Sequence, residues 1–260
     1  MPILKRYGAL RDHFDPRDRY FRVHVAAGTP PPVVDLRSLC GPIKNQGDEG
    51  SCTANSGASF VEWVNRAYLK RAPVLSAQDL YANELLFDGD FPQDNGSEPR
   101  TTCKVLVTKG VCEESLYPYV SGNIVQPTPA QDTNGLEYKL GAYHRLLNSG
   151  DVIKCIGDAT PWPVLVAFQV AQSFESDEVA KTGIYNPQPN EPIVGGHQTL
   201  GVGYDIGATP TIRPAGCPPA VLIQNSWGDD WGIKGFFWMP LPVLDSPSSD
   251  LWMVHPGKPW

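Results

Sequence analysis

The hydrophobic and polar positions follow a helical period in the first half of the chain. Starting at Cys52, small and apolar residues recur at the i, i+3, i+4, i+7 spacing of an amphipathic helix, and Pro73 ends that pattern. Ser76 is a good N-cap for a second helix, and a third helix is predicted over residues 101–109, where Gly110 stops it. The pattern therefore predicts a mostly helical first half.

The period changes in the second half. Residues 120–135 are rich in glycine, proline and asparagine, so we interpret them as a loop between the halves. Short apolar runs that are typical of strands follow that loop, at residues 138–140, 164–170, 198–204, 221–224 and 235–239. One helix, over about 150–158, interrupts them. Helices followed by strands predict an α+β protein with two lobes.

The chain is divided into a leader and one domain. Residues 1–32 contain scattered aromatic side chains and close on three consecutive prolines, which favour an extended connector. We expect this leader to pack on the domain, and the alternative is a frayed tail. The domain spans residues 33–260, with a helical lobe at about 33–125, a β-rich lobe at about 126–245 and a surface wrap at 246–260.

Composition limits the class of protein. Hydrophobic residues make up 41% of the chain and charged residues 19%, with no apolar run near the length of a membrane span, as expected for a soluble globular protein. The net charge of −7 argues against nucleic acid or an anionic membrane as a partner. The first residues lack the apolar core of a secretory signal. The protein is then either cytoplasmic or exported by a route that leaves no signal in this chain, and we expect a monomer.

The six cysteines do not have the spacing of a metal site. None lies in a Cys-x-x-Cys pair, and Cys103 and Cys112 are too far apart for a zinc knuckle, so neither a metal nor a cofactor is expected. Cys52 follows a glycine-punctuated loop and opens the first predicted helix, where unpaired N–H groups and the helix dipole favour a thiolate. The alternative for a lone cysteine is a buried, inert thiol.

Three further polar residues give Cys52 a chemical context. Gln46 lies shortly before it, His197 lies in the glycine-containing segment 195–199, and Asn225 follows an apolar run. A thiol hydrolase needs a base for the thiol proton, a group that orients the base, and donors for the oxyanion. Imidazole titrates near neutral pH, an asparagine amide can orient it without adding charge, and a glutamine amide can donate to the oxyanion.

Together with their neighbouring motifs, these residues resemble the papain family of cysteine peptidases. The resemblance covers roughly residues 33–240. Its matching pieces stand in the family's order and are Lys44–Gly47, Gly50–Cys52, Leu75–Gln78, Asn95–Gly96, Tyr117–Tyr119, His197, Gly203–Tyr204, Asn225–Gly228, Trp231–Gly232 and Gly235. The resemblance implies a papain-like two-lobe α+β fold, in which Cys52 and His197 face each other across a cleft.

The resemblance also implies a role for each matched residue. Cys52 would be the nucleophile, and His197 the base and later the acid for the leaving amine. Asn225 would orient His197, and Gln46 would donate to the oxyanion. The residues expected to contact substrate are Asn95, Gly96, Ser97, Gly196 and Trp227, the last of which would also cover the imidazole. Gly196 would leave extra room beside the substrate residue two before the cut.

Departures from the family pattern concern disulfides and the substrate loop. Glu49 and Asp94 occupy two positions that commonly share a disulfide in the family, so that disulfide is absent. The remaining cysteines miss the other familiar disulfide positions, which leaves their pairing open. Ser97 replaces the second glycine of the Asn-Gly loop. The pattern is similar to that of the family's bacterial branch.

Three functions remain open on the sequence alone. The first is a cysteine endopeptidase that hydrolyses peptide or protein substrates through an acyl-enzyme on Cys52. The second is an acyltransferase that uses the same Cys52–His197 pair with an amine in place of water as the acceptor. The third is a non-catalytic peptide-binding module, which we would expect to lose part of the catalytic set. For an enzyme, we expect the leader at residues 1–32 to lie on or near the cleft and to block it in part.

Overall fold

A computed structural model describes residues 6–21 and 29–255 of the chain. Its α-helices are α1 (Cys52–Val64), α2 (Ala77–Asp88), α3 (Pro99–Thr108), α4 (Pro129–Gly135), α5 (Ser149–Ile156), α6 (Asp177–Thr182) and α7 (Leu241–Leu244). Its strands are β1 (Val33–Asp35), β2 (Ala142–Leu146), β3 (Val164–Ala171), β4 (Ile193–Asp205), β5 (Ala220–Gln224), β6 (Phe236–Pro240) and β7 (Asp250–His255). Most of the strands follow the first helices along the chain, as the hydrophobic pattern predicts.

The strands form one antiparallel sheet. Six of them lie in the order β2-β7-β3-β4-β5-β6, and β1, which belongs to the predicted helical lobe, pairs with β4 beside this path. The long strand β4 places His197 opposite Phe168 of β3, and Leu200 opposite Gln224, the last residue of β5. Because Asn225 follows directly, the register between β4 and β5 fixes the separation of His197 and Asn225.

Helix α1 is the centre of the helical half. All of its residues are buried, and it packs against α2, α3 and strand β4. Its path continues as a π-helical turn over Asn65–Leu69, close to the predicted end. Ser76 caps α2 as predicted, because its hydroxyl accepts the backbone N–H of Asp79, and Gly110 follows α3 with a φ of 79°. None of the described helices is long and apolar enough to span a membrane.

Two predictions near the middle of the chain are wrong. Residues 120–135 are not a loop throughout, because a capping box between Thr128 and Gln131 starts helix α4. Proline and asparagine marked this stretch as a loop, although proline is also favoured in the first turn of a helix. Residues 138–140 do not form a strand; the strand follows them as β2.

The end of the chain is not a surface wrap as far as it is described. Asp250–His255 form β7, which lies between β2 and β3 inside the sheet. Leu251, Trp252 and Val254 are at most 1% exposed, so this strand belongs to the core. The pattern missed this strand because the serines and prolines that precede it indicate an irregular segment, and a single short apolar run is a weak signal for a strand. The predicted wrap also includes residues 256–260, which lie outside the described residues.

All six cysteines are free thiols. Glu49 and Asp94, at the two positions that commonly share a disulfide in the family, each form hydrogen bonds with neighbouring residues. Asp94 accepts the backbone N–H of Gly50 at 3.0 Å and the hydroxyl of Tyr81 at 2.5 Å. Glu49 accepts the side-chain amide of Gln78 at 3.1 Å, and burial raises the pKa of its carboxyl. These contacts position the loop that precedes α1 without a covalent link.

Candidate active site

Cys52 is the first residue of α1. Its backbone N–H is among the groups that a helix start leaves without an intrahelical partner. The backbone N–H of Gln198, the residue after His197, donates to Cys52 Sγ at 3.5 Å. The thiol at the start of the helix and the strand that carries the imidazole are therefore in contact, as the resemblance implies.

The His197 ring is held by Asn225. Its Nε2 lies 2.8 Å from Asn225 Oδ1, and both side chains are buried. The same Oδ1 accepts the backbone N–H of Ser226 at 2.9 Å, which fixes the orientation of the amide. Because an oxygen faces the ring, Nε2 carries the proton, and Nδ1 is the nitrogen that can take the proton of Cys52.

Trp227 covers this pair. Its ring stacks on the His197 ring, with centroids 5.0 Å apart and planes inclined by 26°. Phe174 and Trp231 pack on Trp227 with centroid distances of 5.1 Å, so the cover is supported by the core. An apolar cover excludes water and strengthens the hydrogen bond between His197 and Asn225.

Gln46 is buried, and its amide has one orientation. Its Oε1 accepts the hydroxyl of Ser226 at 2.7 Å, so Nε2 is turned toward the cleft. Nε2 donates to the carbonyl of Glu49 at 2.9 Å and to the carbonyl of Arg6 at 3.1 Å. A carbonyl of the leader therefore takes the donor that would serve an oxyanion.

The leader runs along the cleft as an extended backbone. Leu10 N–H donates to the Ser97 carbonyl at 3.0 Å, and Ser97 N–H donates to the Gly8 carbonyl at 2.9 Å, which makes a parallel bridge at Ala9. On the other side, Ala9 N–H donates to the Gly196 carbonyl at 3.0 Å. Two of the residues expected to contact substrate, Ser97 and Gly196, thus contact the leader instead.

Glycines let the leader approach this closely. A Cβ on Gly8 would lie 1.7 Å from the carbonyl oxygen of Gly50, and a Cβ on Gly96 would lie 2.2 Å from the carbonyl oxygen of Gly8. At the opposite wall, a Cβ on Gly196 would lie 2.1 Å from the Ala9 carbonyl oxygen. The room expected beside Gly196 is therefore filled by backbone of the leader.

A buried cluster of ion pairs fixes the leader beyond the cleft. Arg145 of β2 binds Asp12 at 2.8 Å and Asp18 at 3.2 Å. Arg100 of α3 binds Asp18 at 2.9 Å. Asp250 of β7 adds a third carboxylate, 2.6 Å from Arg145. The sequence did not predict this cluster, because no periodic pattern links residues so far apart in the chain. The acidic residues of the leader were the one signal that could have indicated it.

The state of the thiol differs from the prediction. Cys52 is 0% exposed with the leader in place, and this burial raises the pKa of its thiol to about 11. Backbone N–H groups of Gln198 and Gly8 that point at the sulfur lower the pKa in part. The predicted thiolate is therefore wrong for this covered state, because desolvation outweighs the start of the helix.

Asn95 and Ser226 complete the account of the site residues. Asn95 belongs to the same loop as Ser97 but is exposed, and its backbone N–H donates to Gln93 within the loop. Ser226 was not among the predicted residues, and its place beside Asn225 was the only signal. Within the part of the chain that the structure describes, no group of three or more histidines, cysteines or acidic residues is arranged to hold a metal ion.

Known proteins resemble this chain along most of its length. The family profile described as "Papain family cysteine protease" matches residues 30–242. The uncharacterized peptidase C1-like protein L477 of Acanthamoeba polyphaga mimivirus is 28% identical over 223 residues, which are 81% of this chain and 68% of the viral protein. Cysteine proteinase 2 of Zea mays is also 28% identical, over 85% of this chain and 58% of the plant protein.

A solved structure matches the whole fold. Xylellain, a cysteine protease from Xylella fastidiosa, has a TM-score of 0.82 and is 28% identical, covering 97% of this chain and 98% of xylellain. The predicted α+β papain-like fold is thereby confirmed. The chain spans nearly all of xylellain but 58% of the plant relative.

We predict losses of different size at the two amides. Gln46→Ala removes an oxyanion donor and should lower kcat by about 10²–10³-fold. Asn225→Ala should lower the rate yet leave measurable turnover, because the thiol and the imidazole remain. Steady-state kinetics on a peptide substrate measure both, with Asn123→Ala in an exposed turn as the control. A rate for Gln46→Ala near that of the wild type would remove Gln46 from the oxyanion site.

Proposed function

Because this chain belongs to the papain family of cysteine proteases, it is a cysteine peptidase, and we propose that it is an endopeptidase that acts through an acyl-enzyme on Cys52. The path of the leader supports this proposal. Residues 6–10 pass along the cleft as an extended backbone, with the Arg6 carbonyl on Gln46. A cleft that holds a continuous chain on both sides of the thiol suits cleavage within a peptide rather than at its end.

The proposed reaction begins with transfer of the Cys52 thiol proton to His197 Nδ1. The thiolate attacks the carbonyl carbon, and the carbonyl electron pair moves to oxygen, which accepts hydrogen bonds from Gln46 Nε2 and the Cys52 N–H. When the C–N bond breaks, His197 gives its proton to the leaving amine. Water then attacks the thioester with His197 as base, which releases the acid and restores the thiol. Asn225 keeps the imidazolium oriented throughout.

Replacement of the nucleophile tests this proposal. Cys52→Ala should abolish cleavage of peptides that are blocked at both ends, because no thioester can form. Mass spectrometry of the products locates the cleaved bonds, and Cys40→Ala, which removes another free thiol, is the matched control. Cleavage that persists in Cys52→Ala would place the nucleophile elsewhere, and products cut only at unblocked ends would contradict an endopeptidase.

We propose further that the leader blocks the cleft in part until it is displaced. Its Arg6 carbonyl accepts the hydrogen bond from the Gln46 side-chain amide. Its Gly8 N–H points at Cys52 Sγ, and a thiolate cannot attack an N–H group. The covered thiol keeps its proton at neutral pH because burial raises its pKa. A tethered segment has a high effective concentration, so individually weak contacts can block the cleft.

Gly8→Val should raise the activity of the full chain. The new side chain would collide with the Gly50 carbonyl, so the leader leaves the cleft. We expect turnover of a small fluorogenic peptide to rise on the order of tenfold, which corresponds to a displacement of about 1.4 kcal/mol. Phe14→Val, at a leader position that is 86% exposed, is the matched control. Unchanged kinetics for both a small peptide and a folded protein substrate would contradict a blocking leader.

The ion-pair cluster makes docking of the leader sensitive to pH. The Asp12 side chain is fully buried, between the guanidinium of Arg145 and the backbone N–H of Arg100. It also faces Asp250, whose carboxylate accepts the backbone N–H of Asp12 at 3.1 Å, and it shares Arg145 with Asp18. Burial first, and the charge of Asp250 second, raise the pKa of Asp12 to about 6, although the two arginines oppose the shift.

We predict that the leader binds more tightly in acid. A free aspartate has a pKa of about 3.9, so Asp12 takes up a proton on docking between about pH 4 and pH 6. The added affinity is fully present below that window and is lost as the pH rises through about 6. The activity of the wild type relative to Gly8→Val should therefore rise on the order of tenfold across the window.

The ratio of the two enzymes cancels the pH dependence of the catalytic groups that they share. Asp12→Asn resembles the protonated side chain and has no proton to exchange, so in this background the ratio should be flat. Turnover of the fluorogenic peptide at a series of pH values gives both curves. A wild-type ratio that falls as the pH rises, or an equal slope in Asp12→Asn, would contradict the prediction.

A further inference from the structure

The leader places a tyrosine ring in a slot beside the imidazole. The Tyr7 ring lies 6.0 Å from the ring of Trp227 and 5.9 Å from that of His197, measured between centroids. Tyr7 also contacts Gly195 and Glu175. We call the group formed by Trp227, Gly195 and Glu175 the tyrosine slot.

Gly195 is the residue that gives the ring its space. A Cβ at this position would lie 2.6 Å from the Cβ of Tyr7 and 2.8 Å from two carbons of the ring. Any side chain at position 195 would therefore push the ring away from strand β4. The slot is shaped for a bulky side chain, and its shape comes from the domain rather than from the leader.

Glu175 gives the slot a polar end. Its Oε1 accepts the hydroxyl of Tyr7 at 3.0 Å. Glu175 closes the 3₁₀ turn Gln172–Glu175, and Phe174 in that turn is 0% exposed and packs on Trp227, so the core fixes the backbone next to Glu175, whose side chain is exposed. An ionised carboxylate only accepts hydrogen bonds. The slot therefore favours a ring that carries an O–H donor over a ring without one.

The proposed chemistry brings a substrate side chain to the same place. His197 must give a proton to the leaving nitrogen, so the residue that carries this nitrogen lies against the imidazole. Trp227, stacked at 5.0 Å from the imidazole, is then the aromatic wall next to that residue. We infer that, once the leader is displaced, the tyrosine slot binds the side chain of the substrate residue directly after the cut and selects tyrosine there. This inference rests on the proposed peptidase function and on displacement of the leader.

Binding of the leaving-side product tests the slot without any cleavage. The full chain with Cys52→Ala, Gly8→Val and Tyr7→Ala has a displaced leader, a free slot and no nucleophile, and the probes are the amides of tyrosine, phenylalanine and alanine. We expect calorimetry or ligand-observed NMR to show tyrosinamide binding about threefold to tenfold more tightly than phenylalaninamide, the effect of one hydrogen bond. Glu175→Ala should remove this difference, whereas Glu178→Ala, at an exposed position in α6, should preserve it.

Cleavage preference tests the same inference in substrates. The full chain with Gly8→Val, which displaces the leader, and Tyr7→Ala is incubated with a mixed peptide library, and mass spectrometry identifies the residue after each cut. Tyrosine should be enriched over phenylalanine by about threefold to tenfold, and Glu175→Ala should abolish the enrichment. Equal use of both residues, or a greater enrichment of arginine than of tyrosine, would overturn the inference. If no peptide is cleaved, the peptidase proposal fails, and the amide-binding experiment still decides whether the slot selects tyrosine.

Discussion

The hydrogen bonds between Ser226 and Gln46 are the contact on which the site depends. The Gln46 N–H donates to the Ser226 carbonyl at 2.9 Å, and the Ser226 hydroxyl donates to Gln46 Oε1 at 2.7 Å. These bonds join the loop before α1 to the loop after β5. Because the Ser226 N–H also fixes Asn225, one serine orients both the Gln46 amide and the amide that holds His197. A small shift between the two loops would therefore displace both groups at once.

The groups around the thiol are kept neutral. The side-chain amides of Gln46 and Asn225 carry no charge, so burying them costs little once their hydrogen bonds are made. Glu84 lies close behind Cys52 and accepts the hydroxyls of Thr53 and Thr102, both at 2.7 Å. Burial raises the pKa of Glu84 to about 8, so at neutral pH it is mostly protonated. Its carboxyl then ties α1, α2 and α3 together without placing a negative charge beside Cys52.

Local patterns predicted the elements and residues that a few neighbouring residues in the sequence are enough to identify. Ser76 and Gly110 mark helix ends by their own chemistry, and the motif around Cys52 carries its resemblance within a few residues. Strand β7 and the cluster around Arg145 were missed, because their stability comes from burial among residues that are distant in the chain. The prediction of a thiolate at Cys52 was wrong for the same reason. The helix start that lowers it is visible in the sequence, whereas the leader backbone that buries the thiol is not.

The leader proposed here to block the cleft would act on Cys52 in two ways through one set of contacts. The leader backbone would exclude substrate, and burial of the thiol with the leader in place raises its pKa to about 11, although the Gly8 N–H lowers the pKa in part. Displacing the leader would restore water and leave the helix N-terminus and His197 as the dominant influences, both of which favour the thiolate. The proton on Asp12 would act in the same direction, because its loss above a pKa of about 6 is predicted to loosen the leader as the pH rises. Release of the leader and ionisation of the thiol are thus expected to increase together with pH.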